Sequence, residues 1–176
     1  MNIAVNIEAK TITKTLRVRV KDKHAPALAQ QAAAVNLVWN YCNELSMRCI
    51  REKGHFLSGY DLQKYTAGSS KLLDLNSATV QMIGHEYVTR RKQFRKSKLS
   101  WRKTHGVRRS LGWVPFRHDC IKYRNGQIAY NGIMFSLWDS YGLSGYQLGS
   151  GNFSEDSRGR WYFNVVVEMP AAPTQG

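Results

Sequence analysis

Cysteine is scarce in this 176-residue chain. Cys42, Cys49 and Cys120 are the only three, and no two of them have CxxC spacing. Three thiols cannot supply the several disulfides that hold a small secreted scaffold together, and the missing CxxC pair argues against a structural zinc site. The fold must instead rest on a hydrophobic core, for which 43% hydrophobic and 11% aromatic residues are sufficient. The length allows one ordinary domain or two small ones.

Long apolar runs are also missing. No stretch of 18 or more apolar residues occurs, which excludes a membrane-spanning helix. The first ten residues, MNIAVNIEAK, have neither the basic start nor the apolar stretch of a secretory signal. We therefore expect a cytoplasmic protein that does not work at a membrane.

Acidic residues are few, with 12 Asp and Glu against 26 Lys and Arg, so the formal net charge is +14. Metal-dependent phosphoryl chemistry needs acids that converge on divalent ions, and the spacing marks no such cluster. The five histidines are scattered, and P-loop, GxGxxG, HExxH and GxSxG motifs are all absent. The sequence thus predicts no catalytic centre, no metal site and no cofactor site in this chain.

The positive charge is concentrated in residues 85–124, which hold 13 Lys and Arg but only two acids, Glu86 and Asp119. Aromatic residues lie among these cations, namely Tyr87, Phe94, Trp101, Trp113, Phe116 and Tyr123. Cations interleaved with aromatics suit phosphate contact combined with base stacking, so nucleic acid is the leading predicted partner. A solvated basic face is the plainer alternative, and a membrane surface is disfavoured because no clean apolar face opposes the charge.

The cations expected to contact the phosphate backbone of RNA or DNA lie between the end of the helical region and the strands that follow it. They are Arg90, Arg91, Arg95, Lys96, Lys98, Arg102, Lys103, Arg108, Arg109, Lys122 and Arg124. Binding that depends on such contacts weakens steeply as salt is added, because phosphate neutralisation releases counterions.

Hydrophobic spacing predicts an opening strand over the first 20 residues and helices after it. Alternation indicates the strand at Ile3, Val5 and Ile7 and again at Leu16, Val18 and Val20. Three helices are expected, one over 24–53 that ends at Gly54, one that starts near Ser58, and one from Asn76 or Ser77 to about Lys98. Residues 71–75 are expected to form a linker or turn. The helix residues expected to face the hydrophobic core of the protein include Trp39, Cys42, Val80, Ile83, Tyr87 and Phe94.

Short strands separated by turns are expected after Lys98. They lie near 112–117, 119–124, 127–130, 133–138, 145–153 and 160–168. Asn125-Gly126 between alternating residues predicts a hairpin, and a second turn is expected from Asp156 to Gly159. The last seven residues, 170–176, show no pattern that predicts structure. The fold class is therefore α+β, a small β-barrel interrupted after its first strand by a helical insertion.

The ordered motifs resemble the N-terminal half of TnpB, the RNA-guided DNA endonuclease of bacterial insertion sequences that is related to type V CRISPR effectors. The resemblance covers about residues 12–169. It is carried, in chain order, by TKTLRVRV, VNLVWNYCNEL, FLSGYDLQK, NSATVQMIGHEYVTRRKQFRK, WVPFRHDCIKYRNGQIAYNG and GNFSEDSRGRWYFNVVVEM. The stretch LSWRK departs from the family, which usually has a "PkFK"-like sequence at that point.

The resemblance implies a discontinuous wedge domain at 1–21 and 107–169, with a recognition lobe at 22–106 and a tail at 170–176. In the family these parts hold the guide RNA scaffold and the guide–target heteroduplex, and they read a short duplex DNA motif beside the target. Base pairing reads the remaining sequence, as in other RNA-guided effectors. The implied partners are therefore a guide RNA and double-stranded target DNA, in the cytoplasm of a bacterium.

Residue by residue, the resemblance implies that the DNA motif is read by Tyr60, Gln63, Ser77, Gln81 and Arg117. Gln81 can offer adenine both a donor and an acceptor, and Arg117 could reach guanine or phosphate. For two of these residues a structural role is an equal alternative: Ser77 could cap a helix, and Tyr60 could pack in the core.

The family's RuvC-like nuclease domain, which would use divalent metal, is expected to follow Met169, and seven residues follow it here. The sequence thus leaves three interpretations. The chain is a TnpB-like binding module without its own catalytic centre, or the N-terminal part of an active endonuclease whose RuvC-like domain is absent from this sequence, or an unrelated RNA-binding barrel.

Overall fold

A computed structural model describes residues 10–171 of the chain. It is an α+β fold in which a nearly closed, seven-stranded antiparallel barrel is interrupted after its first strand by a helical lobe, so the predicted fold class is confirmed. The predicted alternation at Ile3, Val5 and Ile7 lies outside the described residues, as do residues 172–176.

The elements follow the predicted order. The strands are β1 (Thr11–Val20), β2 (Trp113–Phe116), β3 (Ile121–Arg124), β4 (Gln127–Tyr130), β5 (Ile133–Trp138), β6 (Gln147–Glu155) and β7 (Trp161–Pro170). The helices, all between β1 and β2, are α1 (Ala25–Lys53), α2 (Gly59–Thr66), α3 (Ser69–Leu73) and α4 (Ser77–Phe94). The prediction that residues 170–176 have no structure is wrong at Pro170, which is the last residue of β7 and is paired with Thr11.

The strand order explains why the sheet curls into a barrel. The strands lie in the order β2-β6-β7-β1-β5-β4-β3, so β2 and β3 form the two edges. These edge strands are also consecutive in the chain, and only the four residues from Arg117 to Cys120 connect them. So short a connection brings the two edges close together, leaving a narrow gap that we call the seam.

Alternating side chains fill the barrel. Trp161, Phe163, Val165 and Val167 of β7 are buried on one face, as predicted, and Leu16, Val18 and Val20 of β1 join them. Phe116 stacks on Phe163 with 5.2 Å between the ring centroids. Buried aromatic side chains contribute much of the stability of a small core, because each of them removes a large apolar area from water.

Local turn chemistry confirms both predicted turns between strands. Asn125 and Gly126 have φ angles of 48° and 77°, the left-handed pair that a two-residue hairpin requires. Asp156 accepts hydrogen bonds at 2.9 Å from the backbone N–H groups of Arg158 and Arg160, which closes the turn before β7. Hydrogen bonds to Asp156 from these N–H groups and from Arg160 lower the pKa of its carboxyl to about 2, although burial opposes the shift.

The helical lobe also follows its sequence signals. Gly54 ends α1 with a φ of 70°, and Ser58 caps α2 in a reciprocal capping box with Asp61. Trp39 and Cys42 are buried, as predicted. Within residues 10–171, no helix combines the length and apolar character needed to cross a membrane.

Three further local predictions are wrong. Residues 71–75 are not a simple linker, because α3 occupies Ser69–Leu73 and ends at Asp74. The last helix ends at Phe94 instead of Lys98, because the next residue, Arg95, takes a left-handed conformation. Phe94 is 55% exposed and so does not belong to the buried face of α4, because it lies in the final turn, beyond the reach of the core.

Candidate nucleic-acid interface

Helix α4 lies across the seam of the barrel. The hydroxyl of Thr79 donates to the carbonyl of Pro115 in β2 and bonds the hydroxyl of Tyr130 in β4, so one side chain contacts strands from both sides of the gap. The start of α4 is capped by Asn76, whose side chain accepts from the N–H groups of Ala78 and Thr79. The alternative that Ser77 is the cap is therefore wrong, and Ser77 is exposed in the first turn.

Two of the predicted motif-reading residues meet on the lobe through a histidine. Tyr60 is 74% exposed, which excludes core packing, and its ring meets His85 edge-on at 4.9 Å. Gln63 Nε2 lies 2.7 Å from His85 Nε2. A Cβ at Gly59 would come within 2.2 Å of His85 Nδ1, so only glycine admits this approach without displacing the ring.

Ser77, Gln81 and His85 lie one helical turn apart on α4, and Ser77 and Gln81 are exposed. Four predicted residues therefore occupy neighbouring parts of the lobe surface, with His85 joining α2 to α4. His85 is not among the residues that the sequence predicts at this surface. Its spacing of four residues from Gln81 was the available signal, because side chains four apart share a helix face.

Arg117, the fifth predicted motif-reading residue, lies on the barrel, at the start of the seam connection. It is exposed and forms a bidentate ion pair with Asp119, at 2.6 and 3.0 Å. Hydrogen bonding from Arg117 lowers the pKa of Asp119. The seam connection follows β2 directly, and the carbonyl of Pro115 in β2 accepts a hydrogen bond from Thr79 in the first turn of α4. The lobe residues and Arg117 thus belong to adjoining elements.

The segment between α4 and β2 is held in place by a row of asparagines on α1. Asn43 donates to the carbonyl of Leu99 at 2.7 Å and accepts from its N–H at 3.1 Å. Asn40 makes the same pair of bonds with the backbone of Arg102, at 2.9 and 2.8 Å. These amides serve the segment as an adjacent strand would, satisfying backbone groups that no sheet satisfies.

Two of the cations expected at phosphates are committed to the fold instead. Arg91 is 2% exposed, and its guanidinium donates to the hydroxyl of Ser46 at 2.6 Å and to the carbonyl of Leu57 at 2.9 Å. Arg102 donates to Asn36 and to the carbonyl of Leu111, each at 2.6 Å. Burial lowers the pKa of both groups. Two donors of each guanidinium already have protein acceptors, so Arg91 and Arg102 are less available for phosphate than the exposed cations.

Two further cations have acidic partners. Arg90 pairs with Glu86 at 2.8 Å, and Arg109 forms a bidentate pair with Glu155 at 2.7 and 3.0 Å. The other seven are exposed and have no ion pair within the described chain. They are Arg95, Lys96, Lys98, Lys103, Arg108, Lys122 and Arg124.

Exposed aromatic side chains accompany these cations. Phe56, Phe94 and Trp101 are 57%, 55% and 39% exposed. The guanidinium of Arg91 lies 4.8 Å from the Phe56 ring, and the ammonium of Lys98 lies 5.4 Å from the Trp101 ring. The other aromatics of the basic region pack inward, with Tyr87 and Phe116 fully buried and Trp113 and Tyr123 half-buried.

Comparison with known proteins adds no family. No protein-family model matches this chain, and a search of curated proteins finds no match. Across residues 10–171, no three His, Cys, Asp or Glu side chains are grouped so that they could hold a metal ion. The function must therefore be argued from the basic and aromatic surface itself.

Proposed function

We propose that this chain is a nucleic-acid-binding module, the wedge and recognition portion of a TnpB-like RNA-guided DNA-targeting protein. The observation that carries the proposal is the surface between α4 and the barrel, where Lys96, Lys98 and Lys103 lie beside exposed Phe94 and Trp101. Cations bind phosphate without regard to sequence, and aromatic faces stack on any base. A surface of this composition suits a structured RNA with both paired and unpaired parts.

The resemblance to TnpB gives the proposed partners. The segment between α4 and β2, residues 95–112, which we call the basic segment, would hold the guide RNA scaffold and the guide–target heteroduplex. The surface formed by Tyr60 and Gln63 of α2, Ser77 and Gln81 of α4 and the seam connection would meet the duplex motif beside the target. Gln81 would read adenine, while Arg117 would exchange Asp119 for guanine or phosphate. Such a protein works in the bacterial cytoplasm, where its DNA target lies.

The test is RNA binding by the full chain, measured by fluorescence anisotropy over a range of salt concentrations with a structured RNA hairpin. We expect the affinity to fall steeply with salt, with a log–log slope of roughly −3 to −5, because each phosphate contact contributes about −0.7 to −0.9. Affinity that does not change with salt would contradict the proposal.

A pair of double variants locates the binding surface. Lys96→Gln with Lys98→Gln removes two exposed cations of the basic segment, so the slope should become shallower by about 1.5. Lys64→Gln with Lys71→Gln removes two lysines of α2 and α3 that are also exposed, and should leave the slope unchanged. Equal effects of the two pairs would show that only net charge matters.

A further inference from the structure

A cleft of about 470 Å³ opens beside the last turns of α4, and we call it the aromatic cleft. Its lining includes Trp39 of α1, Phe94 of α4, Trp101 of the basic segment and Trp113 of β2. Three elements and one loop segment thus contribute an aromatic side chain to a single concave surface. The size falls within the range of roughly 300–1,000 Å³ that is usual for small-molecule sites.

The aromatic side chains of the cleft are not all needed for the core. Trp39 and Trp113 meet edge-to-face at 6.1 Å and are mostly covered by protein. Phe94 and Trp101, by contrast, leave 55% and 39% of their surface in solvent. Two large rings exposed at one site leave apolar area in water, which is unfavourable. A flat aromatic ring or a base that stacks on them would remove this area from water.

The charge at the cleft suits one phosphate. Arg90 and Arg102, which also line it, are already bonded to Glu86 and Asn36. Lys96 is exposed and has no ion pair among residues 10–171, so its ammonium can bind an anion without breaking a contact. Exposed aromatic surface and one available cation together match the base and the phosphate of a nucleotide.

We propose that the aromatic cleft binds a single unpaired nucleotide extruded from a stem, with its base on Phe94 and Trp101 and its phosphate at Lys96. The inference rests on the proposed function, since it names one nucleotide within the nucleic acid that the basic segment binds. An unpaired nucleotide of RNA and one of DNA share this chemistry, and separate measurements distinguish them.

The experiment compares two hairpins that differ by one nucleotide, using the full chain. One stem is fully paired and the other carries a single bulged 2-aminopurine, and both are made as RNA and as DNA. We expect about tenfold tighter binding of the bulged hairpin, with quenching of the 2-aminopurine fluorescence as the base stacks. The hairpin chemistry that shows the preference identifies the source of the nucleotide.

Trp101→Ala should remove most of the bulge preference, so that the ratio of the affinities for the bulged and the paired hairpin falls about tenfold. Trp138→Ala is the matched control, because Trp138 is also exposed, at 61%, and lies under Lys21 at 4.6 Å, but belongs to β5 of the barrel. Phe94→Ala is a second variant in the cleft, and Trp101→Phe should restore part of the preference.

The possible failures are distinguishable. Salt-dependent binding with equal affinity for bulged and paired stems would overturn the aromatic cleft as a nucleotide site and leave the proposed function intact. A bulge preference that survives in both Trp101→Ala and Phe94→Ala would overturn it as well. Absence of salt-dependent binding to any hairpin would overturn the proposed function itself.

Discussion

Arg95 holds a left-handed backbone conformation directly after α4, with φ 51° and ψ 42°. Glycine is the usual residue at this position of a helix end, because a side chain costs roughly 1 kcal/mol in left-handed geometry. The side chain of Arg95 is exposed and has no ion pair among the described residues, so nothing within them recovers that cost. A strained residue that makes no compensating contact within the protein is typical of a binding site, so we expect the Arg95 guanidinium to contact a phosphate of the bound nucleic acid.

Replacement of Arg95 should therefore raise the stability of the fold while weakening the binding of RNA. For Arg95→Gly we expect a melting temperature about 2–3 °C higher and an RNA-binding salt slope shallower by about 0.7, measured by thermal unfolding and anisotropy. Asp74→Gly is the control, since Asp74 ends α3 with a φ of 53° and carries no positive charge. It should also raise the melting temperature and leave the slope unchanged. A parallel loss of binding in both variants would contradict the role of Arg95.

Residue identity alone did not distinguish the two kinds of arginine in the basic region. Arg90 and Arg91 are neighbours in sequence, yet Arg90 is exposed and Arg91 is buried. The difference arises because successive residues of a helix point about 100° apart, and the polar partners of Arg91 lie on α1 and at Leu57, far away in the chain. Burial of a cation depends on such distant partners, which a local pattern does not contain.

At the scale of elements, the asparagine row on α1 decides the course of the basic segment. Asn36, Asn40 and Asn43 follow helical spacing, so they form one polar stripe on a helix whose other face is in the core. The segment they hold has no regular structure between Arg95 and Gly112. Side-chain amides of α1 therefore tie this segment to the lobe, together with the hydrogen bonds between Lys103 and Ser110 and the burial of Leu99.

Loss of one of these amides should weaken both fold and binding. Asn40→Ala removes two hydrogen bonds to the Arg102 backbone, so we expect unfolding to become easier by about 1–2 kcal/mol, measured by denaturant titration. Amide exchange at Arg102 should accelerate more than exchange in the barrel, and RNA affinity should fall severalfold because the segment must be ordered on binding.

The matched control for Asn40→Ala is Asn152→Ala in β6, which removes an acceptor for Asn164 on the barrel. It should affect stability without accelerating exchange at Arg102 and without changing RNA affinity. If Asn40→Ala left the exchange rate at Arg102 unchanged, the asparagine row would not be what holds the segment.

The elements themselves were largely predictable, because their signals are local. Asn125-Gly126, Gly54 and Ser58 each act through the backbone of a few neighbouring residues, and each prediction is confirmed. Helix α3 was missed because five residues carry too little periodicity to be recognised. The asparagine row was missed for another reason: asparagine on a helix is typical of a solvated face, and its partners lie more than 50 residues away.

At the scale of the whole molecule, α4 joins the lobe to the barrel. Thr79 is fully buried and bonds Pro115 of β2 and Tyr130 of β4. Burial raises the pKa of Tyr130 to about 12, although the hydrogen bond between Tyr130 and Thr79 opposes the rise. Separation of the lobe from the seam would therefore break the hydrogen bonds among the Thr79 hydroxyl, the Tyr130 hydroxyl and the Pro115 carbonyl.

A double-mutant cycle tests this joint. Thr79→Val and Tyr130→Phe should each lower the free energy of unfolding by about 1–3 kcal/mol, since each leaves the other hydroxyl short of a partner. The double variant should cost clearly less than the two single costs combined, because both changes remove the same bond. Additive effects in denaturant titration would show that the two hydroxyls do not depend on each other.

The pairing of β1 with β7 also sets the order in which the chain can fold. Leu16 is paired with Val165, so the first described strand waits until β7 (Trp161–Pro170) has emerged from the ribosome. The contacts of the lobe are closer in sequence and can form earlier, whereas closure of the β1–β7 loop is slow. Until then the apolar side chains of Leu16, Val18 and Val20 stay exposed to solvent, and an unpaired apolar strand can pair with other chains and aggregate. Arg17 and Arg19, which alternate with them, would then keep the waiting strand in solution.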